Sequence, residues 1–155
     1  MFRLQLKYLS FFFGIISIFS FFNIIYSFYF NLYLNLDTYY LTFLISLILL
    51  IFFFKIKLEI KKITIFDKII TVFLGYLLIP LILSIPFYLS IYNITFINSY
   101  FESISGFTST GFTIFENIKH IDQSLILWRS STQWIGGLYF LFSIIFLIDI
   151  YDESF

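Results

Sequence analysis

FESISGFTSTGFT, residues 101–113, interrupts a strongly apolar chain with glycines and small hydroxyl side chains, and long apolar runs flank it on both sides. Irregular backbone facing lipid is not tolerated at membrane depth, because each unsatisfied N–H or C=O costs several kcal/mol. A Gly/Ser/Thr segment that enters a bilayer must therefore be wrapped in protein or line a watery path. Ion-selectivity filters use that arrangement: a short helix, then a turn whose carbonyl oxygens replace the hydration shell of the ion. In this sequence the short helix is predicted over residues 98–105 and the turn over residues 108–113, which points to part of a cation-conducting pore.

Composition sets the context. Of 155 residues, 61% are hydrophobic and 12% charged, and the mean hydropathy is +0.99. Soluble domains carry about twice that share of charge, so the chain reads as an all-α integral membrane protein. The 25 Phe come with few Ala or Val, a bias toward Phe, Ile, Tyr, Asn and Lys that makes Phe-rich stretches weak evidence of function. Gly, Trp, Pro and Arg carry correspondingly more. The chain has no cysteine, which excludes a disulfide framework and thiolate chemistry, and its formal net charge is zero. Nothing points to nucleic acid. The first apolar run exceeds twenty residues and lacks a small-residue cleavage site, so it reads as a retained helix.

A bilayer core takes about 20 apolar residues per helix. The pattern predicts membrane helices over residues 6–30 and 38–54, then the basic segment KIKLEIKK at 55–62. A third helix is predicted from 68 to 89, with Asp67 as its cap or first-turn acid and Pro80 and Pro86 kinking it or ending it early. The last is predicted from about 122 to 150. Seven basic residues (Arg3, Lys7, Lys55, Lys57, Lys61, Lys62 and Lys68) fall on one side of this alternation and two, Lys119 and Arg129, on the other. The positive-inside rule then puts the N-terminus in the cytoplasm of a plasma (inner) membrane, and the pore segment enters from outside. The basic run needs no role beyond this, although contact with anionic membrane lipid fits it. The chain divides into an N-terminal hairpin with its basic loop, residues 1–62, and a helix–pore loop–helix unit, residues 63–155.

Four segments, KKITIFDKII, LSIPF, FESISGFTSTGFT and LILWRSSTQWIGG, together resemble the Trk/Ktr/HKT superfamily of potassium transporters, most closely its bacterial TrkH-like branch. The pairing of FE-x-x-SGFT-x-TG with WR-x-x-x-QW-x-GG at this separation is the specific part. The resemblance implies a K⁺-selective or K⁺/Na⁺-permeable pore, built in that family from four covalently linked helix–pore helix–helix repeats preceded by two extra helices. On that pattern the first two helices match the extra pair and the rest matches the first repeat. The resemblance further implies a TrkA-like cytoplasmic nucleotide-binding gating subunit, a homodimer for the complete protein, and no cofactor besides the transported K⁺ or Na⁺. With one repeat in 155 residues, the chain reads as an N-terminal portion. The alternatives are a homo-oligomeric channel and a non-conducting four-helix assembly protein.

Gly111 is the leading filter residue, since a turn that aims successive carbonyls inward needs backbone angles that glycine reaches without a Cβ penalty. Ser109, Thr110, Gly111 and Phe112 are expected to bind the ion through carbonyls, with K⁺ at Thr110 and Gly111. The hydroxyls of Thr108 and Thr113 are expected to brace the site. Glu102 either concentrates cations or hydrogen-bonds the backbone behind the filter. Arg129 is expected to pair with Glu102, Glu116 or Asp122 as a brace, near Gln133. Trp128 and Trp134 read as interfacial anchors, Gly106 as a helix cap or packing site, and Gly136–Gly137 as a close helix contact. His120, alone and without cysteine, reads as a loop residue, and Asp149 as an interfacial helix end. No nucleophile–base set, paired-acid metal motif or phosphate loop is present, and GFTSTG lacks the lysine a phosphate loop requires. An enzyme is not expected.

Overall fold

The computed structural model describes residues 7–55, 64–116 and 120–148. Much of the basic loop, Lys119 and Asp149 lie outside these residues. The described part is helical throughout, in the order α1 (Lys7–Tyr29), α2 (Leu36–Phe54), α3 (Ile65–Leu83), α4 (Ile85–Tyr88), α5 (Phe96–Phe107) and α6 (Gln123–Ile148). Four stretches are long and apolar enough to cross a membrane: α1, α2, α3 continued by α4, and α6. This is an all-α, multi-pass membrane protein, as the sequence predicts.

Each helix end has a local cause. α1 stops where Asn31 takes a left-handed conformation, φ +56°, which asparagine tolerates better than most side chains. The Leu32 N–H then bonds the Ser27 carbonyl at 2.8 Å and the Asn31 N–H that of Phe28 at 3.3 Å, a Schellman closure. α3 starts three residues earlier than the sequence predicts. Thr64 is its N-cap, and Asp67 reaches back to the Thr64 N–H at 3.2 Å. Asp67 is thus the first-turn acid of a capping box.

The two prolines act differently. α3 runs through Pro80 to Leu83, and Pro86 sits in the first turn of α4, where its missing N–H costs nothing. Carbonyls along this stretch are met by side chains from neighbouring helices. Tyr100 Oη donates to Leu77 O at 3.0 Å, Ser103 Oγ to Pro80 O at 2.8 Å, and Trp128 Nε1 to Leu83 O at 3.0 Å. Trp128 is fully buried, so it is an internal donor and not the interfacial anchor expected from sequence.

α2 shows how the bundle is turned inside out relative to a water-soluble one. Its buried residues are Thr38, Tyr39, Thr42 and Ser46, while Leu44, Ile48 and Phe52 are exposed. Lipid solvates those side chains as well as a core would, so association falls to close packing and polar contacts. Tyr139 of α6 fills the centre. It meets Phe12 and Tyr76 edge-on and Phe107 at a tilt, and its hydroxyl donates to Val72 O at 2.9 Å. Gly75 makes room for it, since a Cβ there would come within 1.8 Å of the Tyr139 hydroxyl.

α5 has 12 residues, about 18 Å of helix, too short for a hydrocarbon core of about 30 Å. It begins at one end of the bundle and covers only part of the depth of the long helices. At that end, buried Asn35 ties three connections together: its Nδ2 donates to Asp122 Oδ2 at 2.7 Å, and its Oδ1 accepts from the Ile91 N–H at 3.2 Å. Tyr92 Oη accepts from the Asp122 N–H at 2.7 Å. The α1–α2 turn, the α4–α5 loop and the start of α6 therefore share one end of the bundle. The chain has no native cysteine, so single cysteines at exposed Leu34 and Glu116 should react with an impermeant thiol reagent from one common side. A cysteine at exposed Lys55 should react from the opposite side. Labelling of Leu34 and Lys55 from the same side would contradict this arrangement.

Candidate ion-pathway site

The chain turns sharply after α5. Ser109 has φ +56° and Gly111 φ +84°, and they flank Thr110, which stays on the ordinary side. Three consecutive N–H groups point back at the helix end. Ser109 N–H bonds Gly106 O at 2.9 Å, and the Thr110 and Gly111 N–H groups bond Ser105 O at 3.0 and 3.4 Å. In a trans peptide the C=O opposes the next N–H, and no peptide here is cis. The carbonyls of Thr108, Ser109 and Thr110 consequently point away from α5, and all three residues are exposed. A cavity of about 370 Å³ lies beside them, lined by Thr108, Ser109, Phe107, Tyr76 and the Gly136–Gly137 stretch.

The next two carbonyls turn the other way. Gly111 O and Phe112 O each accept from an Nη of Arg129 at 3.3 Å, and Phe112 O also accepts from Ser105 Oγ at 2.6 Å. Of the four carbonyls expected to face the ion, those of Ser109 and Thr110 face outward, while those of Gly111 and Phe112 meet the guanidinium. The contribution of Gly111 is its backbone angle. A Cβ there would meet nothing within 4 Å, so space does not demand glycine but the positive φ does.

Glu102 holds the descending limb. It is fully buried and accepts from Thr113 Oγ1 at 3.1 Å, from the Ile114 N–H at 3.0 Å and from Arg129 Nε at 2.5 Å. Of the three acids that sequence offered Arg129, Glu102 is the one it meets. The pair is neutral as a unit, so it fixes the turn without adding a net charge beside the outward carbonyls. Thr113 Oγ1 also accepts from the Phe115 N–H at 3.2 Å. Thr108 Oγ1 donates to Ile104 O at 2.8 Å and lies 2.7 Å from Thr110 Oγ1.

Behind the turn, α5 and α6 touch backbone to backbone. A Cβ on Gly136 would sit 1.7 Å from Phe107 O, and one on Gly106 would sit 2.1 Å from Thr132 Oγ1, whereas one on Gly137 meets nothing. Gly106 is thus a packing site inside α5, and only the first of the two adjacent glycines makes the close contact. Trp134 is exposed and lines a shallow groove with Gln133 and Ser130. His120 is exposed, and no cluster of metal-ligating side chains occurs among the described residues. Sequence reasoning missed Ser105 and Thr132. Ser105 carried a faint signal, a hydroxyl one turn before a loop that needs donors.

Comparison with known proteins bears out the resemblance carried by the motifs. The chain is 35% identical over 127 residues to an uncharacterized cation transporter of Methanocaldococcus jannaschii, covering 80% of this chain and 26% of that protein. It is 40% identical over 55 residues to the Trk system potassium uptake protein TrkI of Halomonas elongata, covering 36% of this chain and 11% of the relative. With TrkG of Escherichia coli K12 it shares 33% identity over 73 residues, covering 46% and 15%. The chain therefore spans about a quarter of the first relative's length and less of the other two. No family model and no solved structure matches it.

Two substitutions test the packing behind the turn. Gly136→Ala should lower stability by about 1–3 kcal/mol, because two backbones must separate. Gly137→Ala, at an open position inside α6, should hold or raise stability, by up to about 1 kcal/mol. Thermal unfolding in detergent reads both, and equal shifts would contradict the assigned contact.

Proposed function

We propose that this chain supplies one wall of the ion pathway of a Trk-type potassium uptake system in the plasma (inner) membrane, with its N-terminus in the cytoplasm. The observation that carries this reading is the turn after α5, whose Thr108, Ser109 and Thr110 carbonyls face outward while Glu102 and Arg129 hold it from behind. A partly dehydrated cation exchanges water oxygens for carbonyl oxygens of this kind. The C-terminal end of α5 adds the negative pole of its helix dipole on the same side. Movement is passive or gated and driven by the membrane potential, about 2.3 kcal/mol per charge per 100 mV.

In this reading Ser109 and Thr110 present oxygens to K⁺, Gly111 sets the angle that aims them, and Phe112 and Thr113 fasten the limb that leaves the site. Glu102 and Arg129 form a structural brace. Residues 1–62 form an accessory hairpin and residues 63–155 the pore unit. A single wall leaves a cation coordinated from one side only, so conduction requires opposing walls from further pore units. A homodimer of complete transporters and a TrkA-like nucleotide-binding gating subunit are the expected assembly, in line with the Trk system names of the relatives.

In a complete pore, Gly111→Ser should erode discrimination of K⁺ over Na⁺ more than it lowers the amount of inserted protein, read by rubidium uptake with sodium competition. Unchanged selectivity in well-inserted protein would remove Gly111 from the filter. Glu102→Gln should act chiefly on assembly. It removes the counter-charge of Arg129 while Gln Oε1 can still accept its Nε–H. Because the Arg129 side chain is 16% exposed, the loss should fall below the about 3–5 kcal/mol of a fully buried pair. The 155-residue chain by itself should not restore growth of a K⁺-uptake-deficient bacterium at low K⁺. Rescue that depends on Gly111 would instead favour a homo-oligomeric channel.

A further inference from the structure

Away from the turn, α1 carries a set of buried polar atoms that the ion-pathway reading does not use. Ser20 Oγ, Ser27 Oγ and both amide atoms of Asn23 have no hydrogen-bond partner among the described residues. All three side chains are essentially sealed, Asn23 being 1% exposed. A serine in a helix can turn its hydroxyl onto a carbonyl of the preceding turn. Once the Ser20 and Ser27 hydroxyls bond their own helix, the Asn23 amide, with two N–H donors and a carbonyl acceptor, is left to an external partner.

The contacts of α1 locate this set. Phe12 packs edge-on against Tyr139 and Phe142 of α6, while the Phe13 ring meets that of Phe53 of α2 at a tilt. At about 100° per residue, Asn23, Ser27 and Ser20 all fall on the arc between those two directions, so they face the junction of α1 with α2 and α6. The antiparallel register with α2, fixed by Phe13 with Phe53 and Phe21 with Phe43, brings Asn23 level with Thr42 and Ser20 level with Ser46. The contacts of Phe12 with Tyr139 and with Phe142 bring α6 past Asn23 between Trp128 and Ser131. Thr42, Ser46 and Ser131 are buried too. Each of their hydroxyls donates to its own helix, to Thr38 O, Phe43 O and Leu127 O respectively. Their oxygens therefore keep acceptor capacity, but none has a proton left to give to Asn23 Oδ1.

The occupant such a junction fits has to donate to Asn23 Oδ1 and accept from Asn23 Nδ2 at once. A cation would leave the amide N–H groups unmet, and an anion would leave the carbonyl unmet. No charge from α1 or α2 is at hand, since Lys7 lies at the far end of α1 and Asp37 is exposed. We infer that the α1–α2–α6 junction binds ordered water, held by the Asn23 amide and shared with the hydroxyls of Ser20, Ser27, Thr42, Ser46 and Ser131. Water both donates and accepts, and buried water typically takes three such bonds. The hairpin is then joined to the last helix through a hydrated seam at a depth where lipid offers no alternative partner.

Radiolytic hydroxyl labelling in ¹⁸O-water, with the full chain in nanodiscs, tests this directly, because a bound water converts to a radical where it sits. Oxygen-18 should appear on Ile24 and Phe19, beside Asn23, well above buried controls Ile79 and Phe87. In Asn23→Leu, which keeps the volume and removes the amide, labelling at Ile24 and Phe19 should fall to the control level while the melting temperature holds or rises. Wild-type labelling at Ile24 and Phe19 no greater than at the controls would overturn the inference. So would an Asn23→Leu variant that keeps the label, or one that melts well below the parent without labelling ever having exceeded the controls.

Discussion

A backbone that leaves helical geometry inside a bilayer must have its N–H and C=O groups met by protein or by the permeating ion and its water. That constraint organises the structure around residues 108–113. Three N–H groups of the turn fold back onto the last carbonyls of α5, Glu102 receives the Ile114 N–H, and Arg129 and Ser105 receive the carbonyls of Gly111 and Phe112. What is left over is the set at Thr108, Ser109 and Thr110, facing open space. The features of the turn that look functional are thus the carbonyls left over once its other groups have bonded back to α5, Glu102, Ser105 and Arg129.

The same constraint explains the surroundings. A buried carboxylate such as Glu102 is tolerated in an apolar bundle only with a paired charge and filled hydrogen bonds, and Arg129 supplies both for it and for the turn. Arg129 reaches that position because α6 lies against α5 at Gly136, with Phe107 O in direct contact. The break near Pro80 is handled in the same manner, by donors from Tyr100, Ser103 and Trp128. These donors come from the two helices that carry the site, so the fold and the turn are stabilised by shared residues.

The four crossings were legible from apolar run length, and the short α5 from the hydroxyl-rich break, because both follow from bilayer thickness. The positive φ of Gly111 was legible too, because a turn following a short helix calls for a residue without a Cβ penalty. The direction of each carbonyl was not. Residue type does not reveal which way a peptide plane faces, and only the bonds from Ser109, Thr110 and Gly111 back to α5 separate the outward carbonyls from those of Gly111 and Phe112. Trp128 was misread as an anchor because a tryptophan near a predicted helix end looks the same whether its indole meets headgroups or Leu83 O. The start of α3 was placed late because Thr64 lies in a mixed polar stretch where the capping role belongs to the pair Thr64–Asp67 and not to the acid alone.

In the proposed pathway, cations meet this chain at the Ser109 and Thr110 carbonyls, with Gly111 shaping the turn behind them. Anomalous diffraction from thallium or rubidium ions soaked into crystals of a complete pore containing this segment locates the ion without reference to selectivity. A peak is expected within coordination distance of the Ser109 and Thr110 oxygens, and none at Glu102. A peak at Glu102, or an ion path that leaves residues 108–111 without a neighbouring peak, would contradict the proposed pathway.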